Sequence, residues 1–331
     1  MKSTPDDTAA ILQATLPGLD PEAARAEATF MEHHGIDLLC RRTGSLPPGL
    51  MECPDAPAAL FRLGTCDLSG RHNVAVVGTR DATVTGQEFC RRFVGELAER
   101  CPDAVIVSGL AYGIDVCAHR AALDAGLATV AVMAHGLDTI YPADHRDIAR
   151  RIVESGRGAI VSEYTSGARV HRSNFLARNR IVAALSAAVV VVESASHGGA
   201  LYTANLAGRY GRTLFAVPGR WCDRTSQGCN SLIASGKAHL LTDADTFLRR
   251  MGWECKPARS AAAEAPALDF TDLAGNARLI VDYLRRYPDR SQSDIASDLA
   301  LPAAEVAARL MELEMDDVLT LLPGGRISLN V

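Results

Sequence analysis

The stretch "VAVVGTRDATVTGQEF", residues 74–89, decides how this chain is read. Four β-prone apolar residues stop at Gly78, Thr79 and Arg80, and the pattern then becomes that of a helix beginning near Thr85. An apolar run without alternation marks a strand buried on both faces, and a strand passing through a glycine turn into a helix is half of a βαβ unit. Working outward, similar runs recur at 105–108, 128–133, 159–162, 187–192 and 213–217, with helical segments between them. The pattern predicts an α/β fold, a Rossmann-like, doubly wound and mostly parallel sheet with helices on both faces.

Such sheets bind ligands outside the carboxyl ends of their strands. Those ends carry Gly78-Thr79-Arg80, Ser108-Gly109, His135-Gly136, Glu163-Tyr164, Glu193-Ser194 and Pro218-Gly219-Arg220. Small and functional residues therefore converge on one rim.

The 331 residues are 48% hydrophobic, enough for a substantial core, and carry a net charge of -5. Between Tyr164 and Cys222, however, seven arginines face one acid, Glu193, so this segment is +6 and the remainder -11. A basic segment in an acidic chain suits a polyanion such as nucleic acid; the alternative is arginines scattered over separate helices. The start of the chain lacks a basic, then apolar, leader, and no apolar run reaches the ~18 residues of a membrane span. A soluble cytoplasmic protein is expected. Nine cysteines (40, 53, 66, 90, 101, 117, 222, 229 and 255) contain no CxxC pair, which fits free thiols better than disulfides or a zinc site. His33 and His34 near Cys40 point in different directions on a helix, so no metal and no cofactor is expected.

Flanking segments differ from the centre. Residues 1–68 hold ten acids against five basic residues and read as a small helical, SAM-like domain, with Asp20, Pro21 and Gly35 bounding one helix. The core spans 69–254, an Ala/Pro-rich linker 255–270, and a winged-helix pattern of three helices and a hairpin 271–331. The second long helix of that module, starting at Pro302, offers only Arg309 against Glu305, Glu312 and Glu314, and 271–331 total -4. A groove-reading helix needs positive and amide side chains, so duplex reading is not expected there.

The turn at Gly78-Thr79-Arg80 offers amides and a guanidinium to a phosphate, yet it is not GxGxxG. "VSGLAYGID" (107–115) repeats that layout, with Ser108, Gly109 and Gly113 in the turn and Asp115 as N-cap. Ser108, Asp115 and His119 could be drawn as a hydrolytic triad, but a GxSxG elbow is missing. No GxxxxGK[ST] occurs, which argues against a nucleotide-driven motor. In "HRSNFLARNR" (171–180), Asn174 is placed to cap a helix running to Leu185, and Arg172 and Phe175 stand near its mouth. Arginine on phosphate beside a ring on a base is the minimal unit of single-strand recognition. Alternatively Phe175 anchors the core and the arginines pair with Glu163 or Glu193. Gly198 and Gly199 lead into a further helix carrying Thr203 and Asn205, positioned to bond phosphate or simply to turn the chain.

"VAVVGTR", "VSGLAYGID", "TVAVMAHGLDTIYPADHRDIA", "SEY", "NFLARNRIVAALS", "VVVESASHGGALYTANLAGRYGR", "LFAVPG" and "GCNSLI", in this order, resemble the DprA (Smf) family, the DNA-processing proteins of natural transformation. The resemblance covers about residues 70–245 closely. It implies a non-catalytic, homodimeric, single-stranded DNA-binding protein that protects incoming strands and loads the recombinase RecA. It implies a phosphate pocket at Arg80, Ser108, Gly109 and Gly113, a basic contact at Arg172, a stacking ring at Phe175, and a basic signature at Arg178, Asn179 and Arg180. Gly78, Thr79, Tyr112, Asn174, Gly199 and Thr203 complete the expected DNA-binding set. Two departures stand out: Tyr112 where many relatives have Arg, and Leu176-Ala177 where many have Pro-Arg. The competing reading is a nucleotide-cleaving phosphoribohydrolase using Glu163 or Glu193 as base, although the usual Pro-Gly-Gly-x-Gly-Thr-x-x-Glu signature of that group is missing.

Overall fold

The computed structural model describes residues 4–168, 170–253, 275–287, 290–316, 318–322 and 326–329. They fall into two compact units, 1–257 and 258–331.

The first unit begins with α1 (Pro5–Thr15) and α2 (Pro21–His34). Asp20 caps α2 by accepting the Ala23 N–H at 2.9 Å, and Gly35 ends it at φ 67° in the left-handed region where glycine is favoured. There follow β1 (Ile36–Cys40), α3 (Pro48–Met51), β2 (Ala59–Gly64), β3 (Asn73–Val77), α4 (Val84–Arg100), β4 (Val105–Ser108), α5 (Ile114–Asp124) and β5 (Ala128–Val132). Next come α6 (Arg146–Glu154), β6 (Ala159–Ser162), α7 (Arg172–Ala184), β7 (Ala188–Val191), α8 (Gly199–Arg209), β8 (Thr213–Ala216), α9 (Gln227–Ala234), β9 (His239–Leu240) and α10 (Ala244–Met251).

The strands form one sheet in the order β1-β2-β6-β5-β4-β3-β7-β8-β9. From β6 to β9 every pairing is parallel, whereas β1 pairs β2 and β2 pairs β6 in antiparallel fashion. The six expected strands are all present. Alternate residues of each central strand enter opposite cores: Ala75, Val77, Val189 and Val191 pack with Ile181, Leu185 and Ala204, while Val74, Val76, Val190 and Phe215 pack with Phe93, Leu97, Ile114 and Phe247. Because β3 sits between β4 and β7, chain order reverses there, and the β3/β7 boundary is the topological switch point.

The helical expectation for residues 1–68 is corrected beyond His34. β1 and β2 extend the sheet, and Ile36 and Phe61 form a core with Leu12, Ala28 and Met31 of the first two helices. "IDLLC" and "ALFRLG" are apolar runs too short for periodicity to separate strand from helix.

The second unit contains α11 (Asn276–Arg286), α12 (Gln292–Asp298), α13 (Ala303–Met315) and the antiparallel pair β10 (Leu319–Leu322) and β11 (Arg326–Leu329). Ile280, Leu284, Ile295, Val306, Leu310, Leu313 and Ile327 make a separate core, so the winged-helix pattern is realised. The expected linker lies outside the described residues, among which no helix is long and apolar enough to cross a membrane.

Candidate functional site

Outside the carboxyl ends of β3 and β7, at the switch point, lies a cavity of about 640 Å³. Its wall includes Gly78, Thr79 and Arg80 after β3, Arg172, Phe175, Arg178 and Asn179 of α7, and Ser194 to Thr203 from the end of β7 into α8. Nine expected site residues therefore meet: Gly78, Thr79, Arg80, Arg172, Phe175, Arg178, Asn179, Gly199 and Thr203.

The turns meet because glycines let them. A Cβ on Gly78 would lie 2.5 Å from the Ile114 side chain, and one on Gly113, at φ 76°, would lie 2.2 Å from the Thr79 carbonyl oxygen. The β3 turn is also braced by the buried Glu193 carboxylate, which accepts the Thr83 N–H at 2.9 Å and the Thr83 hydroxyl at 2.5 Å. Thr83 in turn caps α4 by accepting the Gly86 N–H at 3.0 Å. Arg80 is thereby presented at the cavity mouth.

Arg80 and Arg172 are exposed, and among the described residues neither forms an ion pair. The Arg80 guanidinium lies 5.4 Å from the centre of the Phe175 ring, and Tyr141 meets that ring edge-on at 5.8 Å. Phe175 is half-buried and belongs to neither flanking core, so it is a wall of the cavity and not a core anchor. α8 starts at Gly198-Gly199 without a capping side chain, which directs the partial positive charge of its first turn at the same space.

Several expected residues, Arg178 and Thr203 of the nine among them, are engaged in holding the fold. Arg178 is only 4% exposed; it donates to the Gly109 carbonyl at 2.7 Å and to the Val132 carbonyl. Gly109 makes room for it, since a Cβ there would fall 2.2 Å from the guanidinium. Burial pushes the Asp115 carboxyl above its ordinary range, opposed by the charge of Arg178. Asp115 is not the N-cap of α5 but sits inside its first turn, accepting the Gly109 N–H at 3.2 Å, and Gly113 holds the cap position. Arg180 forms a two-pronged pair with Glu163 at 2.6 and 2.8 Å, the alternative left open by residue type. Thr203 is buried and donates to the Gly199 carbonyl at 3.1 Å. Asn174 does not cap α7: His171 does, by accepting the Ser173 N–H, so the helix starts earlier and Asn174 lies in its first turn.

The conceivable triad does not assemble. The Ser108 hydroxyl donates to the Val76 carbonyl at 2.7 Å, while His119 bonds Thr129 at 2.7 Å and burial drives its pKa down to about 3. Tyr112 and Gly113 line a separate cavity of about 450 Å³; the Tyr112 hydroxyl donates to Asp144 at 2.8 Å, which raises its pKa. Among the described residues, one grouping of three metal-competent side chains occurs, His72, Cys101 and Asp103, with ligand atoms within 4.8 Å of one another. It stands at the amino ends of β3 and β4, the opposite rim, where Asp103 accepts bonds from both partners.

Sequence reasoning passed over Tyr141 and His197 of the cavity wall. Their presence in "TIYPAD" and "ESASHGG" was visible, but no residue type in either stretch marks which side chains face inward.

Residues 37–252 match the family model of the DNA recombination-mediator protein A, and residues 259–325 that of the DprA winged helix domain. A DNA processing protein DprA of Mycobacterium tuberculosis is 39% identical over 265 residues, which cover 80% of this chain and 66% of that one. The chain thus spans about two thirds of the length of that relative. The crystal structure of DprA from Streptococcus pneumoniae superposes with a TM-score of 0.61 at 34% identity, covering 75% of this chain and 87% of the other. DNA processing protein A from Helicobacter pylori, solved to explain its single-stranded DNA binding mode, gives 0.59 at 30% identity over 66% and 96% of the two chains.

Proposed function

The chain belongs to the DNA recombination-mediator protein A family, and from that premise we propose that its switch-point cavity binds single-stranded DNA without transforming it. The observation that carries the reading is the placement of Arg80 against the Phe175 ring, with Arg172 in the same cavity wall and no acid pairing either arginine among the described residues. Phosphates are attracted by the two guanidiniums and the α8 amides, while an unpaired base has a ring to stack on. Duplex DNA keeps its base faces stacked inside and cannot use that ring. The single-strand binding of the Helicobacter pylori relative supports the same reading.

Two features speak for binding over nucleotide cleavage. Glu163 is held by Arg180 and Glu193 by Thr83, so each candidate base already has its hydrogen-bonding partners. The finer part of the proposal, protection of incoming strands by a homodimer and loading of RecA during transformation, comes from the family resemblance.

Titration of a fluorescent oligo(dT) by anisotropy over a salt series tests the reading. Binding should weaken with salt, with a slope of about -0.7 per phosphate contact, and duplex of equal length should compete poorly. The double variant Arg80→Ala, Arg172→Ala should bind weakly with a flatter slope. Equal affinity for duplex and single strand would overturn it. RecA filament assembly on strands coated with single-strand-binding protein tests the loading role.

A further inference from the structure

Trp221 is 87% exposed, more than any other Phe, Tyr or Trp described. An indole left in water forgoes the stabilisation that its large apolar area offers. The chain's other tryptophan, Trp253, packs against Phe247 at 5.3 Å and His72 at 4.5 Å.

The turn that carries Trp221 is firmly held. Asn230 bonds both the N–H and the carbonyl of Gly219, at 3.2 and 3.0 Å, and the Asp223 N–H closes the turn on the Arg220 carbonyl at 3.1 Å. A Cβ on Gly219 would collide with the Ser226 hydroxyl at 2.0 Å. The same segment is latched to the cavity wall: the Ser194 N–H donates to the Thr225 carbonyl at 2.7 Å, and the Gly228 N–H to the Ser194 carbonyl at 2.8 Å. Ser194 itself lines the cavity. The indole is thus displayed on the same rim, beyond the end of β8, which neighbours β7 in the sheet.

Its flanks identify the partner. Arg220 and Arg224 are exposed and, among the described residues, form no ion pair; Cys222 and Asp223 complete the turn. Arg220 adjoins the indole in the chain and Arg224 follows three residues on, and two unpaired guanidinium side chains in the turn that displays the ring complement a phosphate backbone. We propose that Trp221 is a second base-stacking platform, with Arg220 and Arg224 on the backbone, for nucleotides of the strand that run past Ser194 out of the cavity. The proposal rests on the single-strand reading above and adds a subsite to it.

The test follows Trp221 emission and anisotropy in one titration, in a Trp253→Phe background, with oligo(dT) of about 20 and about 6 nucleotides, spanning and falling short of the extended path. Binding of the longer strand should quench the emission. Trp221→Ala should weaken the longer strand at least about fivefold, the low end of base–aromatic stacking, leave the shorter one unchanged and keep the salt slope; Trp221→Phe should restore most of the affinity. Arg220→Ala with Arg224→Ala should reduce the slope by about 1.4. Normal anisotropy with unquenched emission and an unaffected Trp221→Ala variant overturns the subsite while leaving the cavity reading intact. Absence of any anisotropy change defeats the cavity reading itself. If Trp221→Ala instead leaves DNA binding unaltered and shifts the sedimentation coefficient, the indole belongs to a protein interface and the subsite is refuted.

Discussion

Phe175 and Arg178 stand three residues apart on α7 and end in opposite surroundings, one on the cavity wall beside Arg80 and the other sealed beneath Gly109. Their substitution should separate binding from folding. Phe175→Ala should cost about 1–3 kcal/mol of single-strand affinity, with an unchanged salt slope and thermal midpoint. Arg178→Ala strips two buried carbonyls of their donor, each worth about 1–3 kcal/mol, so thermal unfolding should shift first. His119 supplies a pH signature. Its folded pKa of about 3 lies below the ordinary imidazole value of 6.5, so the unfolded chain binds the extra proton. The stability that neutral His119 protects is whole above 6.5 and is lost as pH falls from there towards 3. His119→Gln should therefore remove about one proton from the acid limb of a stability-against-pH curve, about 1.4 kcal/mol per pH unit. An unaltered limb would contradict that. At this scale the sequence is ambiguous: Arg172, Arg178 and Arg180 are one residue type in one decapeptide, and only burial and partners distinguish their roles.

At the scale of elements, the β3 turn and the α5 turn form one device. Gly78 and Gly113 bring them into contact, and Glu193, arriving from β7, ties down Thr83. Glu193→Ala leaves the Thr83 N–H without its acceptor and should lower stability by about 1–3 kcal/mol in denaturant unfolding. It should also weaken DNA binding through Arg80, whereas Glu193→Gln keeps an acceptor and should lose less of both. The strand–turn–helix rhythm was legible because continuous Val, Ile and Ala runs suit strands buried on both faces. Helix starts were less so: Asn174 and Asp115 have capping side chains, but His171 and Gly113 hold the cap positions. Capping depends on the backbone conformation of the preceding residue, which neighbouring elements impose.

For the molecule as a whole, the separate cores imply that the two units fold independently. Residues 1–257 alone should melt cooperatively and bind oligo(dT) with nearly the affinity of the full chain. Residues 258–331 should fold yet fail to retard duplex DNA in a gel, since Arg309 on α13 is paired with Glu312 at 2.5 Å among acidic neighbours. Specific duplex retardation by that fragment would refute this expectation. The sequence by itself determined the parallel sheet, the rim on which its small and functional residues converge, the segregation of positive charge and the winged-helix pattern, because each is written in local periodicity or in composition. Only the tertiary structure decided which arginines remain without an acidic partner, that β1 and β2 extend the sheet, and that Trp221 is left exposed. Those outcomes depend on contacts between segments far apart in the chain, and no local pattern encodes which groups consume one another's charges and hydrogen bonds.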